Sequence, residues 1–243
     1  MANQRPLIPF YAVVDVSYSM SGDKIEAANK VFQEVANTLA VNPVVNDKLR
    51  FSLVSFSDDA KSIVPLCDMS TFVGPLPTLT VEGGTDFGAC FEFLRTQIDK
   101  DVSQLQTDPF RVFRPAVFFL SDGQPTDTGW ETKFAELITY DKATGVGNKN
   151  HPIVVPFGVE DADQATMEHL VQPIGKSRCY MMSSGSKAAE AIKHMAEILV
   201  MSALSSGTSG AFTLPPVSGS GSGGQLTAVG PAEAVVIDDD YLD

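Results

Sequence analysis

Two strand-length apolar runs, each ending in a carboxylate, limit the possible folds more than any other feature. Phe10-Tyr11-Ala12-Val13-Val14 leads into Asp15, and Pro115-Ala116-Val117-Phe118-Phe119-Leu120 leads into Ser121-Asp122-Gly123. Neither run alternates with polar residues. A strand that is apolar on every residue has to be covered on both faces, as central parallel strands are when helices flank the sheet. The intervening sequence supplies such helices. Over residues 23–42, Ile25, Ala28, Phe32, Val35, Ala36 and Leu39 recur at helical spacing, and from Asp86 onward Phe87, Cys90, Phe91, Leu94 and Ile98 form one apolar face. Asp23, with Glu26 three residues on, resembles a capping box. Further helices are predicted over 130–142, 164–171 and 187–199, and strands over 49–56, 60–66, 153–157 and 179–181. This alternation predicts a doubly wound, mostly parallel α/β sheet. Ser57-Asp58-Asp59 is a hairpin-sized link, so the strand after it should be antiparallel and at an edge.

Composition narrows the function. The chain has 243 residues, 44% hydrophobic and 19% charged, with a formal net charge of −13. That balance argues against a nucleic-acid binder and against attraction to anionic lipid. Cys67, Cys90 and Cys179 are odd in number and far apart, which suits a reducing compartment. Residues 1–9 do not read as a leader peptide, and no apolar run is long enough to span a bilayer, so a cytoplasmic location is expected. From residue 203 the composition shifts to Ser and Gly, the acids are Glu233, Asp238, Asp239, Asp240 and Asp243, and no Lys or Arg follows Lys193. The expected organisation is a domain over 1–202 and a flexible acidic tail over 203–243.

In a doubly wound sheet, ligands sit at the carboxyl ends of the strands. Asp15-Val16-Ser17-Tyr18-Ser19 and Asp122-Gly123 should both lie there, and the loop carrying Gly83-Gly84-Thr85 enters its helix at the same edge. Asp15, Ser17, Ser19, Thr85 and Asp122 then offer two carboxylates and three hydroxyls, all oxygen donors. Such a set suits Mg²⁺ or Mn²⁺ better than zinc. If the hydroxyls ligate directly and the carboxylates act mainly through water, the ion stays electrophilic and attracts an external carboxylate. Each piece alone has an ordinary reading. Thr85 could cap a helix, Ser17 and Ser19 could form a turn, and Asp122-Gly123 could simply end a strand. Their meeting on one edge favours the metal. His151, His169 and His194 stand in no ligand or triad spacing. Gly175-Lys176-Ser177 mimics the end of a phosphate-binding loop, but Leu170 stands where that pattern needs glycine.

These three pieces, in this order, resemble the metal-ion-dependent adhesion site of von Willebrand factor type A domains, and the resemblance covers roughly residues 8–202. The wording of residues 15–27 and 121–127 is similar to the bacterial tellurium-resistance-type branch. That resemblance implies a cytoplasmic adaptor in a stress-response system, working beside a protein kinase and a PP2C-type phosphatase. It also implies a Mg²⁺-dependent, non-enzymatic protein–protein interaction. Tyr18 departs from the family pattern, where glycine is usual between the two serines. A different class, the haloacid-dehalogenase-type phosphohydrolases, also ends a first strand in Asp and holds Mg²⁺ there. It needs a carboxylate two residues later, where this chain has Ser17. The Asp238-Asp239-Asp240 run could also occupy the site of its own or a neighbouring chain, since a tethered carboxylate is at high effective concentration.

Overall fold

A computed structural model describes residues 5–107, 110–216, 226–237 and 242. The first half of the chain is β1 (Arg5–Asp15), α1 (Asp23–Ala40), α2 (Pro43–Lys48), β2 (Leu49–Phe56), β3 (Ala60–Cys67) and α3 (Phe87–Leu105). Then come β4 (Phe110–Val112), β5 (Ala116–Ser121), α4 (Trp130–Ile138), β6 (Tyr140–Asp141), β7 (Val146–Gly147) and β8 (Ile153–Gly158). The chain continues through α5 (Gln164–His169), β9 (Cys179–Met182), α6 (Ala188–Ser209), β10 (Phe212–Leu214), β11 (Leu226–Val229) and β12 (Val235–Ile237).

The main sheet runs β11-β9-β8-β5-β1-β2-β3, with β4 also paired to β1. β1 is parallel to β2, β4 and β5, and β5, β8 and β9 are mutually parallel in turn. β3 is the expected antiparallel edge. The winding reverses between β1 and β5, so the carboxyl ends of those neighbours open the crevice where such sheets bind ligands.

Period-two alternation divides β1 between two cores. Phe10, Ala12 and Val14 pack with α1 and α6 on one face, while Tyr11 and Val13 pack with α3 and α4 on the other. All five are fully buried, which explains why β1 shows no polar alternation.

Several expected boundaries shift. The helix expected over 130–142 ends at Ile138, and β6 pairs antiparallel with β7 instead. α1 starts from Gly22, and Asp23 is its first helical residue, not its cap. The largest correction concerns the expected flexible tail from residue 203. α6 continues to Ser209, burying Ser202, Ala203, Ser206 and Gly207. Gly207 lies close to α2: a Cβ there would sit 3.5 Å from the Val44 carbonyl oxygen and the Val45 Cα. Gly207 lets the two helices approach closely, and that contact outweighs the weak helix propensity of Ser and Gly. β10 and β12 pair with each other, and Phe212 and Ile237 join the core. β11 pairs antiparallel with β9, giving the sheet a second antiparallel edge. Arg178, fully buried, donates to the carbonyls of Pro215 at 3.1 Å and Glu233 at 2.6 Å, which ties this returning segment down. The linker over 218–224 and the Asp238-Asp239-Asp240 run lie outside the described residues.

Candidate metal centre

Backbone bonds bring three loops together at the carboxyl ends of β1 and β5. The Glu82 amide donates to the Val16 carbonyl at 2.7 Å, and the Tyr18 amide donates to the Gly83 carbonyl at 3.2 Å. The Thr126 amide donates to the Thr85 carbonyl at 2.9 Å. The Gly-Gly-Thr loop wraps Asp58, from the link between β2 and β3, whose carboxylate accepts from the Gly84 amide at 2.7 Å. Gly83 has φ 63°, a conformation that favours glycine, and a Cβ there would lie 2.5 Å from the Asp58 carboxylate and displace it from the loop.

Asp15 lies at the floor, fully buried. Its two oxygens accept from the Ser17 amide at 2.8 Å and from the Ser121 hydroxyl at 2.6 Å. Burial pushes its pKa up to about 6, although the bonds from Ser121 and Ser17 pull the other way. Above it a chain of oxygens leads outward. The Ser17 and Ser19 hydroxyls are 2.8 Å apart, and Ser19 donates to Asp122 Oδ1 at 2.7 Å. Ser17 and Asp122 are buried, whereas Ser19 and its neighbour Tyr18 are exposed. Thr85 approaches from the third loop: a Cβ on Gly123 would lie 3.8 Å from both the Ser19 and Thr85 hydroxyl oxygens. Thr85 is not the helix cap. Asp86 fills that role for α3, accepting from the Ala89 amide at 2.7 Å, and Asp127 accepts from the Phe87 and Gly88 amides. All five predicted residues therefore converge.

Two further residues complete the rim. Lys24 Nζ donates to Asp122 Oδ2 at 2.6 Å and to Glu160 Oε2 at 2.5 Å. Burial alone would lower the Lys24 pKa, but the bonds to Asp122 and Glu160 outweigh it and hold the ammonium above its usual value. Sequence reading missed this pair because Lys24 and Glu160 are far apart in the chain and each reads as an ordinary surface residue. Lys24 left one trace, a cation in the first turn of α1, where the helix dipole disfavours it.

Residues 10–195 match the family model of the von Willebrand factor type A domain. The chain belongs to this family. Solved relatives share the fold at low identity. A von Willebrand factor type A protein from Catenulispora acidiphila superposes with a TM-score of 0.56 at 14% identity, covering 82% of this chain and 43% of its own. Proximal thread matrix protein 1 of the mussel byssus, described with a zinc-occupied MIDAS motif, gives 0.54 at 14% identity, covering 89% and 51%. The pilus adhesin SpaC of Lactobacillus rhamnosus GG, in an open conformation, gives 0.54 at 14%, covering 83% and 30%. This type A domain thus spans about half or less of those relatives. No curated protein matches it. Among the described residues no helix is long and apolar enough to cross a membrane.

The donor set suits a hard cation. Among the described residues no group of three or more His, Cys, Asp or Glu gathers that could hold a metal. The ligands this type A domain offers at its rim are hydroxyls with a carboxylate, which favour oxygen-seeking ions.

Proposed function

We propose that this type A domain is a metal-dependent interaction module. Ser17, Ser19, Thr85 and Asp122 hold a divalent cation, Mg²⁺ or Mn²⁺, and Asp15 orients the Ser17 loop from beneath. The ion, when bound, supplies a Lewis-acidic position that a partner's carboxylate fills. One observation carries the reading. The loops after β1 and β5 are joined twice by side-chain oxygens, Ser121 to the buried Asp15 at 2.6 Å and the exposed Ser19 to Asp122 at 2.7 Å, with Ser17 2.8 Å from Ser19 and bonded to Asp15 through its amide.

A phosphohydrolase fits less well. Both Asp15 oxygens are engaged and the residue is fully buried, so it is a poor nucleophile, and Ser17 stands where a second carboxylate is needed. The wording of the two motifs supports a cytoplasmic role in a tellurium-resistance-type or stress system with kinase and phosphatase partners. Self-docking of the acidic run is better supported between chains than within one. Leu242, just beyond that run, donates its amide to the Val112 carbonyl at 3.0 Å, at the end of the sheet opposite Asp15.

The test is thermal unfolding with EDTA, Mg²⁺ and Mn²⁺ on the wild type and on Ser17→Ala/Ser19→Ala. A ligand that binds only the native state must raise the midpoint. A metal-dependent rise that the double variant loses supports the site. No response to either metal, with an acidic peptide also present, overturns it.

A further inference from the structure

Lys24 places an ammonium at the same carboxylate that would serve the ion, and three observations show that this is an arranged contact. Its side chain is only 12% exposed, so the charge is held against the site. It sits in the first turn of α1, where an acidic residue would be the stabilising choice. Its second partner, Glu160, has φ 50°, a left-handed conformation that costs a non-glycine residue energy. The amide of the preceding residue, Val159, donates to the Ser121 carbonyl at 3.1 Å, which fixes that strained turn beside β5.

The two oxygens of Asp122 therefore have separate tasks. Oδ1 faces Ser19 and the ion position, and Oδ2 is neutralised by Lys24. A carboxylate already paired to an ammonium attracts a second cation less strongly. The same ammonium adds positive charge to the rim, where a partner's carboxylate must arrive. Glu160 is 41% exposed at its side chain and draws part of that charge outward. We infer that Lys24, shared between Asp122 and Glu160, sets the charge of the metal centre and so trades affinity for the ion against affinity for an acidic partner. This inference rests on the metal-dependent reading above.

The two ends of the Lys24 contact should act with opposite sign, which a merely structural contact would not do. Lys24→Met frees Asp122 for the ion and removes charge from the rim. Mn²⁺ binding, read from the electron paramagnetic resonance signal of the free ion, should tighten by about tenfold. Binding of a fluorescein-labelled Gly-Ala-Asp-Ala-Gly peptide at saturating Mn²⁺ should weaken by about the same factor. Glu160→Gln leaves Lys24 paired with Asp122 alone, so Mn²⁺ should bind more weakly and the peptide more tightly, each by about threefold. Lys24→Arg keeps the charge and should stay near the wild type in both assays. Far-ultraviolet circular dichroism in EDTA checks that each variant is folded. If a variant does not fold, the remaining variants decide the sign. If Lys24→Met moves both affinities in the same direction, or neither, the inference is overturned while the metal site stands. If the wild type binds no Mn²⁺ with the peptide present, the functional reading fails and the inference fails with it.

Discussion

Asp15 and Arg178 are both fully buried charged residues in or beside the main sheet, and they differ in what surrounds them. Asp15 bonds to loops at the carboxyl end of β1 and leads, through Ser17 and Ser19, to solvent. Arg178 immediately precedes β9, the strand inside the β11 edge, and holds the main chain of the returning C-terminal segment, with its Nε unpartnered among the described residues. The carboxylate sits where burial raises its pKa, a standing cost that a bound cation would relieve. The guanidinium stays charged whatever its setting, so it acts as a fixed fastener. Buried charge at the strand tips thus lies where the proposed ion would be held, and buried charge beside β9 marks a join within the chain.

Substitutions should separate these two roles. The largest effect is expected from Arg178→Ala. It removes a large buried side chain and orphans two carbonyls, so unfolding by urea should show a loss of about 4 kcal/mol. The rise in unfolding midpoint with Mg²⁺ should survive. If that rise disappears as well, the C-terminal join and the proposed metal centre are coupled and the contrast breaks.

Next is the pH dependence of the metal-free protein. The folded pKa of Asp15, about 6, lies above the ordinary carboxylate value of 3.8. The folded state therefore binds the proton more tightly. Its contribution is fully present below about pH 4 and is lost as the pH rises to about 6, a fall of about 3 kcal/mol. Saturating Mg²⁺ favours the ionised carboxylate and should flatten that slope. Denaturation midpoints between pH 4 and 7, with EDTA and with Mg²⁺, check both statements. A slope that Mg²⁺ leaves unchanged would place Asp15 outside the ion's influence.

The metal response is slightly smaller. At a metal concentration about 100 times Kd, the stabilisation should be about 2.7 kcal/mol. Thr85→Val should remove much of it and leave the stability in EDTA almost unchanged, because Asp86 caps α3. The smallest effect is expected from Asp127→Ala. Losing the acceptor for the Phe87 and Gly88 amides should cost about 1 kcal/mol in the same urea assay, without loss of metal binding.

The strand tips were legible because their signals are local. An apolar run that stops at a carboxylate is visible in ten residues, and the doubly wound fold then fixes where Asp15, Thr85 and Asp122 must meet. Lys24 and Glu160 were not legible, since their contact depends on a left-handed turn after β8 that nothing in Val159-Glu160-Asp161 announces. The C-terminal segment was misread for a related reason. Ser206 and Gly207 look like linker sequence, yet with Ser202 and Ala203 they are buried along α6, and Gly207 lies where α6 approaches α2. Their spacing on one helical face was the available clue. Leu226–Val229 is too short to signal a strand, and it is paired because β9 would otherwise present an open edge.

Arg5 and Leu242, the first and last described residues, both pair with β4, through Phe110 and Val112. The proposed metal centre is at the far end of β1, ten residues from Arg5. At about 3.3 Å per residue that is a separation of about 33 Å along the strand. A biotin or a fused fluorescent protein joined at either position would leave from the pole away from the ion. The domain can therefore be immobilised on a sensor through either position with the proposed binding face directed into solution.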